Sequence, residues 1–455
     1  MEMVLEFLRD VLSQPALLIG IMSCIGLIAL KRPFHKVMTG TLKPILGYLM
    51  LAAGAGVIVN NLDPLGKMIE HGFHITGVVP NNEAIVAVAQ KVLGVETMSI
   101  LVVGLLMNLC IARFTKFKYV FLTGHHSLFM ACLMSAVLGT AGLSGMELIL
   151  VGGFLMGAWS AISPAIGQSY TSKVTDGDEI ALGHFGSLGY YLSAWVAKYV
   201  GKAEDSTEDI EIPEKWGFLR DSTLSTALTM IVFYLIAAIA AGSEFVSTLS
   251  GDMSPYLYAV MSAMNFAVGV TIVYSGVRMI LGDLIPAFQG IATKIIPNAI
   301  PAVDCAVFFT YAPTAVVLGF ISSFIGGIIG MLILGAVGGV LIIPGLVPHF
   351  FCGATAGIYG NATGGRRGAA VGAFLNGLAI TFLPALALPV LGQLGFQNTT
   401  FGDADFAVMG LVLGHAFEWI GMAGIYGIVA IAALVLIIPN FIKTKGKVIN
   451  YVEEE

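Results

Sequence analysis

Long uninterrupted apolar stretches constrain this chain more than any other feature. They lie near residues 12–30, 41–60, 97–112, 119–139, 146–166, 223–242, 256–280, 302–323, 326–344, 369–391 and 420–442. About 20 apolar residues in a helix cross the hydrocarbon core of a bilayer, so the stretches predict roughly eleven transmembrane helices. Continuous runs fit a helical bundle, not the alternating pattern of an outer-membrane barrel. Charge rules out a water-soluble fold: Asp, Glu, Lys and Arg make up only 11% of the 455 residues, against about 25% in soluble domains. A net charge of −6 leaves no basic surface for nucleic acid.

Further apolar segments are interrupted by Gly, Pro, Asn or His, at 62–95, 176–199, 345–367 and 396–419. Non-helical backbone at membrane depth is tolerated only where protein or a cavity surrounds it, so these are candidate broken or re-entrant segments. With the N-terminus outside, successive spans place all but Arg9, Lys67 and Lys91 of the 22 basic residues on one side. Acidic or uncharged turns such as Gly402-Asp403-Ala404-Asp405 fall on the other. The asymmetry makes the basic side cytoplasmic and puts the C-terminus there. The N-terminal MEMVLEFLRDVLSQ lacks the positive start of a cleavable signal peptide and reads as mature sequence.

The longest polar stretch, 201–222, divides the chain. Residues 1–200 hold about five spans and a re-entrant segment. Residues 201–222 read as a cytoplasmic linker or surface helix, and 223–455 hold about six spans and a re-entrant hairpin. An odd number of spans in the first half gives the second half inverted topology, as in many transporters. The five cysteines (Cys24, Cys110, Cys132, Cys305, Cys352) are scattered and read as small packing residues, with no zinc spacing. The sequence carries no HExxH, no nucleotide-binding motif and no GxSxG elbow, so neither a metal, a cofactor nor a catalytic residue is expected.

Ionisable groups inside apolar stretches cost several kcal/mol, so each needs a partner or a cavity. Thr123-Gly124-His125-His126-Ser127 is one such place; neighbouring helical residues point about 100° apart, so at most one of the two histidines faces a given cavity. Gly183-His184-Phe185-Gly186 suits a hairpin tip with close backbone approach. Pro297-Asn298-Ala299-Ile300-Pro301-Ala302-Val303-Asp304 breaks a helix and places a carboxylate at the start of the next. Gly353-Ala354-Thr355-Ala356-Gly357 with Gly360–Arg367 forms a glycine-rich re-entrant candidate, whose Arg366 and Arg367 read as topology anchors. Ala53-Gly54-Ala55-Gly56 and Pro80-Asn81-Asn82-Glu83 offer close backbone approach and polar groups. His349, His415 and Glu418 read as structural.

Several of these motifs fit one family. Leu-Thr-Gly-His (122–125), Val-Thr-Asp-Gly (174–177) with Gly-His (183–184), Gly-Val-Arg-Met (276–279), Ala-Val-Asp-Cys-Ala (302–306) with Tyr-Ala-Pro (311–313), Ile-Ile-Pro-Gly (342–345) and Phe-Phe-Cys-Gly-Ala-Thr (350–355) occur in family order along essentially the whole chain. Together they resemble the membrane-embedded IIC subunit of the bacterial ascorbate-type phosphotransferase system. The resemblance implies a homodimer in the inner membrane with eleven spans, a dimerising scaffold interleaved in sequence with a mobile ligand-binding core, and elevator-type inward transport of L-ascorbate. It implies phosphorylation of the sugar by a cytoplasmic IIB subunit charged through IIA. The ligand groups it implies are Gly54, Ala55, Asn82, Glu83, His125, His184 and Asp304. Two glutamines found in some relatives stand here as Phe129 and Phe185, rings that can stack on a ligand but cannot exchange hydrogen bonds as amides do. With Thr355 these complete the candidate site. A related polyol or pentose is the other substrate to consider, and a proton-coupled symporter of a sugar acid, using Asp304 or Glu418, the other mechanism.

Overall fold

The computed structural model describes residues 11, 14–74, 77–78, 80, 82–210, 222–392 and 400–441. Within those ranges some helical side chains, including those of Ala55 and residues 83–94, fall outside the described set. The first part of the chain folds as α1 (Pro15–Ala29), α2 (Phe34–Phe73), α3 (Asn82–Phe114), strand β1 (Tyr119–Phe121), α4 (Gly124–Thr140), α5 (Gly145–Thr175), β2 (Ala181–Leu182) and α6 (Ser187–Val200). The second part comprises α7 (Ser222–Ala241), α8 (Ser243–Ser250), α9 (Pro255–Lys294), β3 (Ile300–Val303), a 3-10 helix (Cys305–Thr310), α10 (Pro313–Ala336), α11 (Leu346–Gly392), α12 (Ala404–Ile420) and α13 (Met422–Ile437). Among the described residues seven helices are long and apolar enough to cross a membrane, or eight if the bent pair α7–α8 is one span. The architecture is helical and polytopic, with one small three-stranded sheet among the described residues.

Helices α2 and α9 are each 40 residues long, about 60 Å at 1.5 Å per residue and so twice the thickness of the hydrocarbon core. They cross antiparallel and close. A Cβ on Gly47 would stand 2.9 Å from the Gly276 carbonyl oxygen, and one on Gly54 would stand 2.8 Å from that of Gly269. Small residues let membrane helices approach to backbone contact, where dispersion replaces the hydrophobic effect that lipid cannot supply. Helices α1, α7 and α8 pack on this pair; α3 and α5 pack against the sheet, α9 also touches β3, and α6 and α10 pack on α11.

Three sequence expectations fold differently. The stretch 119–139 is not one helix: Tyr119–Phe121 is extended, and α4 begins at Gly124. Stretches 302–323 and 326–344 are not two spans. Their first residues enter β3 and the 3-10 helix, and the rest share α10, which ends at Ala336 just before Gly338, where φ is +71°. Finally, 345–367 and 369–391 are the two arms of α11. The chain reverses between them at Gly364 (φ −144°, ψ 17°) and Gly365 (φ 59°, ψ −155°). Gly360 of the first arm lies against Gly368 and Ala369 of the second. The first arm runs antiparallel to α10 (Gly357 on Gly319, Gly353 on Ser323) and the second parallel to it (Phe374 on Gly326, Thr381 on Gly330).

The sheet is parallel, ordered β1-β3-β2, with Phe121 opposite Ala302 and Leu182 opposite Val303. Its short Tyr-Val-Phe and Ile-Pro-Ala-Val segments are wholly buried, so no alternation marks them in the sequence. Pro301 sits in the middle strand without an N–H to give. It is tolerated because β2 starts one residue later, with Ala181 opposite Ala302. Gly183 must be glycine: a Cβ there would stand 2.4 Å from the Ala302 carbonyl oxygen.

Candidate functional site

All three strands point the same way, and each delivers a polar residue beyond its carboxyl end: His125 after β1, His184 after β2 and Asp304 after β3. Ligand sites beside parallel strands form at this end. The three residues singled out in separate parts of the sequence therefore meet. His125 Nε2 lies 3.4 Å from Asp304 Oδ2, and its Nδ1 lies 3.2 Å from the Tyr48 hydroxyl of α2. Asp304 Oδ1 accepts from the Ala306 amide at 3.0 Å and caps the 3-10 helix. His184 comes within 4.8 Å of both Asp304 and Cys305. Asp304 and His184 are buried, whereas the His125 side chain is 38% exposed and forms the open edge of the cluster.

Around this core stand residues that sequence reasoning missed. His126 is buried with its ring 3.8 Å from that of His184 and 4.8 Å from that of His125, so both neighbouring histidines reach one cluster where the 100° spacing predicted at most one. Its Nδ1 accepts from the Phe185 amide at 3.3 Å. The Gly402–Asp405 turn, read as an exterior acidic turn, is buried instead. Asp403 accepts from Asn82 Nδ2 at 2.7 Å and from the Cys352 thiol at 3.0 Å, and lies 3.8 Å from His184 Nδ1. Asp405 accepts from Ser187 Oγ (2.7 Å), the Leu188 amide (2.9 Å) and Trp159 Nε1 (3.2 Å). Two carboxylates thus tie α3, α5, α6, α11 and α12 together, and Cys352 is a hydrogen-bond donor as well as a packing residue. The available signal was an acidic residue immediately before an apolar helix, the N-cap pattern.

The remaining candidates divide. Phe129 turns its ring edge toward His125 at 5.8 Å. The fully buried ring of Phe185 stacks on Phe121 at 4.6 Å and lies edge-on to the His126 ring at 6.0 Å, while its amide donates to His126 Nδ1. Thr355, buried on the first arm of α11, donates to the Phe351 carbonyl at 2.7 Å and lies against Cys305. Asn82 is already engaged, giving Nδ2 to Asp403 and accepting from the Gly402 amide at 2.9 Å. Gly54 serves the α2–α9 crossing. The side chains of Ala55 and Glu83 lie outside the described residues. His349 pairs with Ser323 at 2.9 Å and His415 with Glu418 at 3.0 Å.

Two triads have the composition of a metal site: His126, His184 and Asp403, and His184, Asp304 and Cys305, each with its ligand atoms within 4.8 Å. In metal sites the second imidazole nitrogen ordinarily donates its N–H to an acceptor. Here Nδ1 of both histidines accepts an amide N–H instead, and Asp403 is occupied by Asn82 and Cys352. The polar atoms of the triads are taken up by neighbours outside them: the Phe185 and Gly186 amides, Tyr190, Asn82 and Cys352. Helices α4, α6 and α12 and the 3-10 helix all begin at the cluster, turning the positive ends of their dipoles toward it. A separate polar cavity of about 260 Å³ lies between Lys173, the 203–208 loop and the first arm of α11, and is lined by none of the cluster's side chains.

Fold and cluster together define the class: a polytopic helical membrane protein with a polar, helix-dipole-lined site where chain segments break. Comparison with known proteins narrows this. A family described as PTS system sugar-specific permease component (EIIC-GAT) matches residues 10–405. The chain belongs to that family and is an integral protein of the inner membrane. It is similar to the ascorbate-specific PTS system EIIC component of Mycoplasma pneumoniae. The two are 26% identical over 417 aligned positions, which cover 78% of this chain and 62% of the relative's length.

Proposed function

We propose that this chain is the permease subunit that binds L-ascorbate and carries it inward for phosphorylation by a cytoplasmic IIB partner supplied by IIA. The observation that carries the reading is the meeting of His125, His184 and Asp304 at the ends of three parallel strands, among helix N-termini. Ascorbate is a hydroxyl-rich anion at neutral pH: imidazole N–H groups and helix dipoles suit its enolate, and carboxylates suit its hydroxyl tail. The ascorbate-specific relative supports the same substrate. The subunit itself carries no phosphoryl group; that chemistry is the partner's.

The rest of the proposal is architectural. Residues 1–200 and 223–455 form inverted halves within an eleven-span homodimer, and the core moves as an elevator against the scaffold. The antiparallel pairing of two 40-residue helices, one from each half, supports inversion. The denser packing of α1, α2 and α7–α9 on one another than on the sheet and its neighbouring helices supports a scaffold interleaved in sequence with a core. Binding to the purified protein tests the site: Asp304→Ala and His184→Ala should each abolish ascorbate binding in a folded protein, and unchanged affinity in either overturns it. Vesicle uptake tests the mechanism. Accumulation of unmodified ascorbate on a pH gradient alone identifies a proton symporter, whereas dependence on IIA and IIB with a phosphorylated product identifies the proposed subunit.

A further inference from the structure

Two donors converge on one atom of His184. The Gly186 amide lies 3.1 Å from Nδ1 and the Tyr190 hydroxyl 2.9 Å from it. An amide N–H cannot accept, so Nδ1 holds a lone pair, and a neutral imidazole then carries its proton on Nε2. Asp403 Oδ1, at 3.8 Å, is too far to claim a proton from Nδ1. His126 has the same arrangement, its Nδ1 accepting the Phe185 amide, next in the chain to His184. The titratable groups around His184 are His125 and His126 on α4, Asp304 and Cys305 after β3, Tyr190 on α6, Cys352 on α11 and Asp403 before α12.

Resting on the ligand site proposed above, we propose that His184 meets its ligand as a neutral Nε2–H donor, with Tyr190 and His126 as the positioning residues that hold it in that form. Tyr190 does so by donating to Nδ1, and His126 by anchoring the amide beside it. The ligand atom opposite His184 is then an acceptor, an enolate or carbonyl oxygen, and binding does not await an imidazolium.

The test uses the full chain in lipid nanodiscs with ¹⁵N-labelled histidine, His184 being assigned by its absence in His184→Gln. Without ligand, NMR should show unprotonated Nδ1 and protonated Nε2 on His184 between about pH 6.5 and 8.5, spanning the ordinary histidine range. A proton on Nδ1 under these conditions overturns the proposal. Tyr190→Phe removes one donor and keeps the ring; it should let the other tautomer appear and weaken ascorbate binding about five-fold. A folded Tyr190→Phe protein with an unchanged His184 spectrum overturns the role of Tyr190. Wild-type affinity that climbs about tenfold per pH unit on acidification overturns the neutral donor. Wild-type protein that shows the Nε2–H signature but binds no ascorbate sinks the proposed function and supports the tautomer assignment.

Discussion

Replacing Gly183 with alanine should weaken ascorbate binding strongly while leaving the protein folded. The new Cβ would stand 2.4 Å from the Ala302 carbonyl oxygen, 2.6 Å from its carbon and 3.1 Å from the Val303 nitrogen. These are backbone atoms of the middle strand and cannot rotate away. Ordinary contact begins at 3.4 Å, so β2 must retreat by about 1 Å. Its bond from the Gly183 amide to the Val303 carbonyl, 2.7 Å long, lengthens with it. Overpacking of this kind costs about 1–3 kcal/mol of stability, which a folded membrane protein can absorb. His184 is the next residue and moves with the strand. Loss of the hydrogen bond proposed between His184 and its charged ligand, at about 1.5–3 kcal/mol, corresponds to roughly 10- to 150-fold weaker binding. Gly177→Ala is the control, since a Cβ there meets nothing within 4 Å. Titration calorimetry of purified protein, with thermal midpoints measured on the same samples, reads both effects. Wild-type affinity in Gly183→Ala, or an equal loss in Gly177→Ala, would refute the reasoning.

Further outcomes follow from the same geometry. Asp405→Ala leaves three donors from α5 and α6 unpartnered in the interior, and should lower stability by about 3–5 kcal/mol, read as a fall in thermal midpoint, with Asp405→Asn falling less. Gly365→Ala places a Cβ 2.3 Å from the Lys202 carbonyl oxygen at a φ of +59°; limited proteolysis should cut residues 201–210 faster than in the wild type. Tyr48→Phe removes the hydroxyl beside His125 Nδ1, and should weaken ascorbate binding by about two- to ten-fold without changing the thermal midpoint.

How much was legible beforehand depended on contrast. His125, His184 and Asp304 stood out because an ionisable group in an apolar stretch demands an explanation, and all three converge. Asp403 and Asp405 had no such contrast: two acids beside a glycine look the same in a solvated turn as in a buried staple. The sheet was invisible because three or four buried residues have no period that separates them from the helix that follows. The reversal in α11 was half visible. Gly364 and Gly365 marked a break, yet whether a glycine pair kinks, re-enters or reverses depends on what the next arm packs against. Phe185 illustrates a different limit, since its neighbour His184 lies in the cluster while its own ring turns into the core.

The 201–210 segment carries a consequence for how the protein is made. Its residues are held by partners far along the chain. Glu208 accepts from the Thr314 and Ala315 amides at the start of α10, 106 and 107 residues later. Thr207 donates to Asn361, 154 residues later, and Asp205 accepts from the Arg366 amide at the reversal of α11. Synthesis runs from the N-terminus, so these partners do not exist when 201–210 leaves the ribosome. The segment must wait until α10 and the first arm of α11 have been made. Clasping the reversal is therefore a late step of biogenesis, and a ribosome stalled before Thr314 would leave residues 201–210 without these partners.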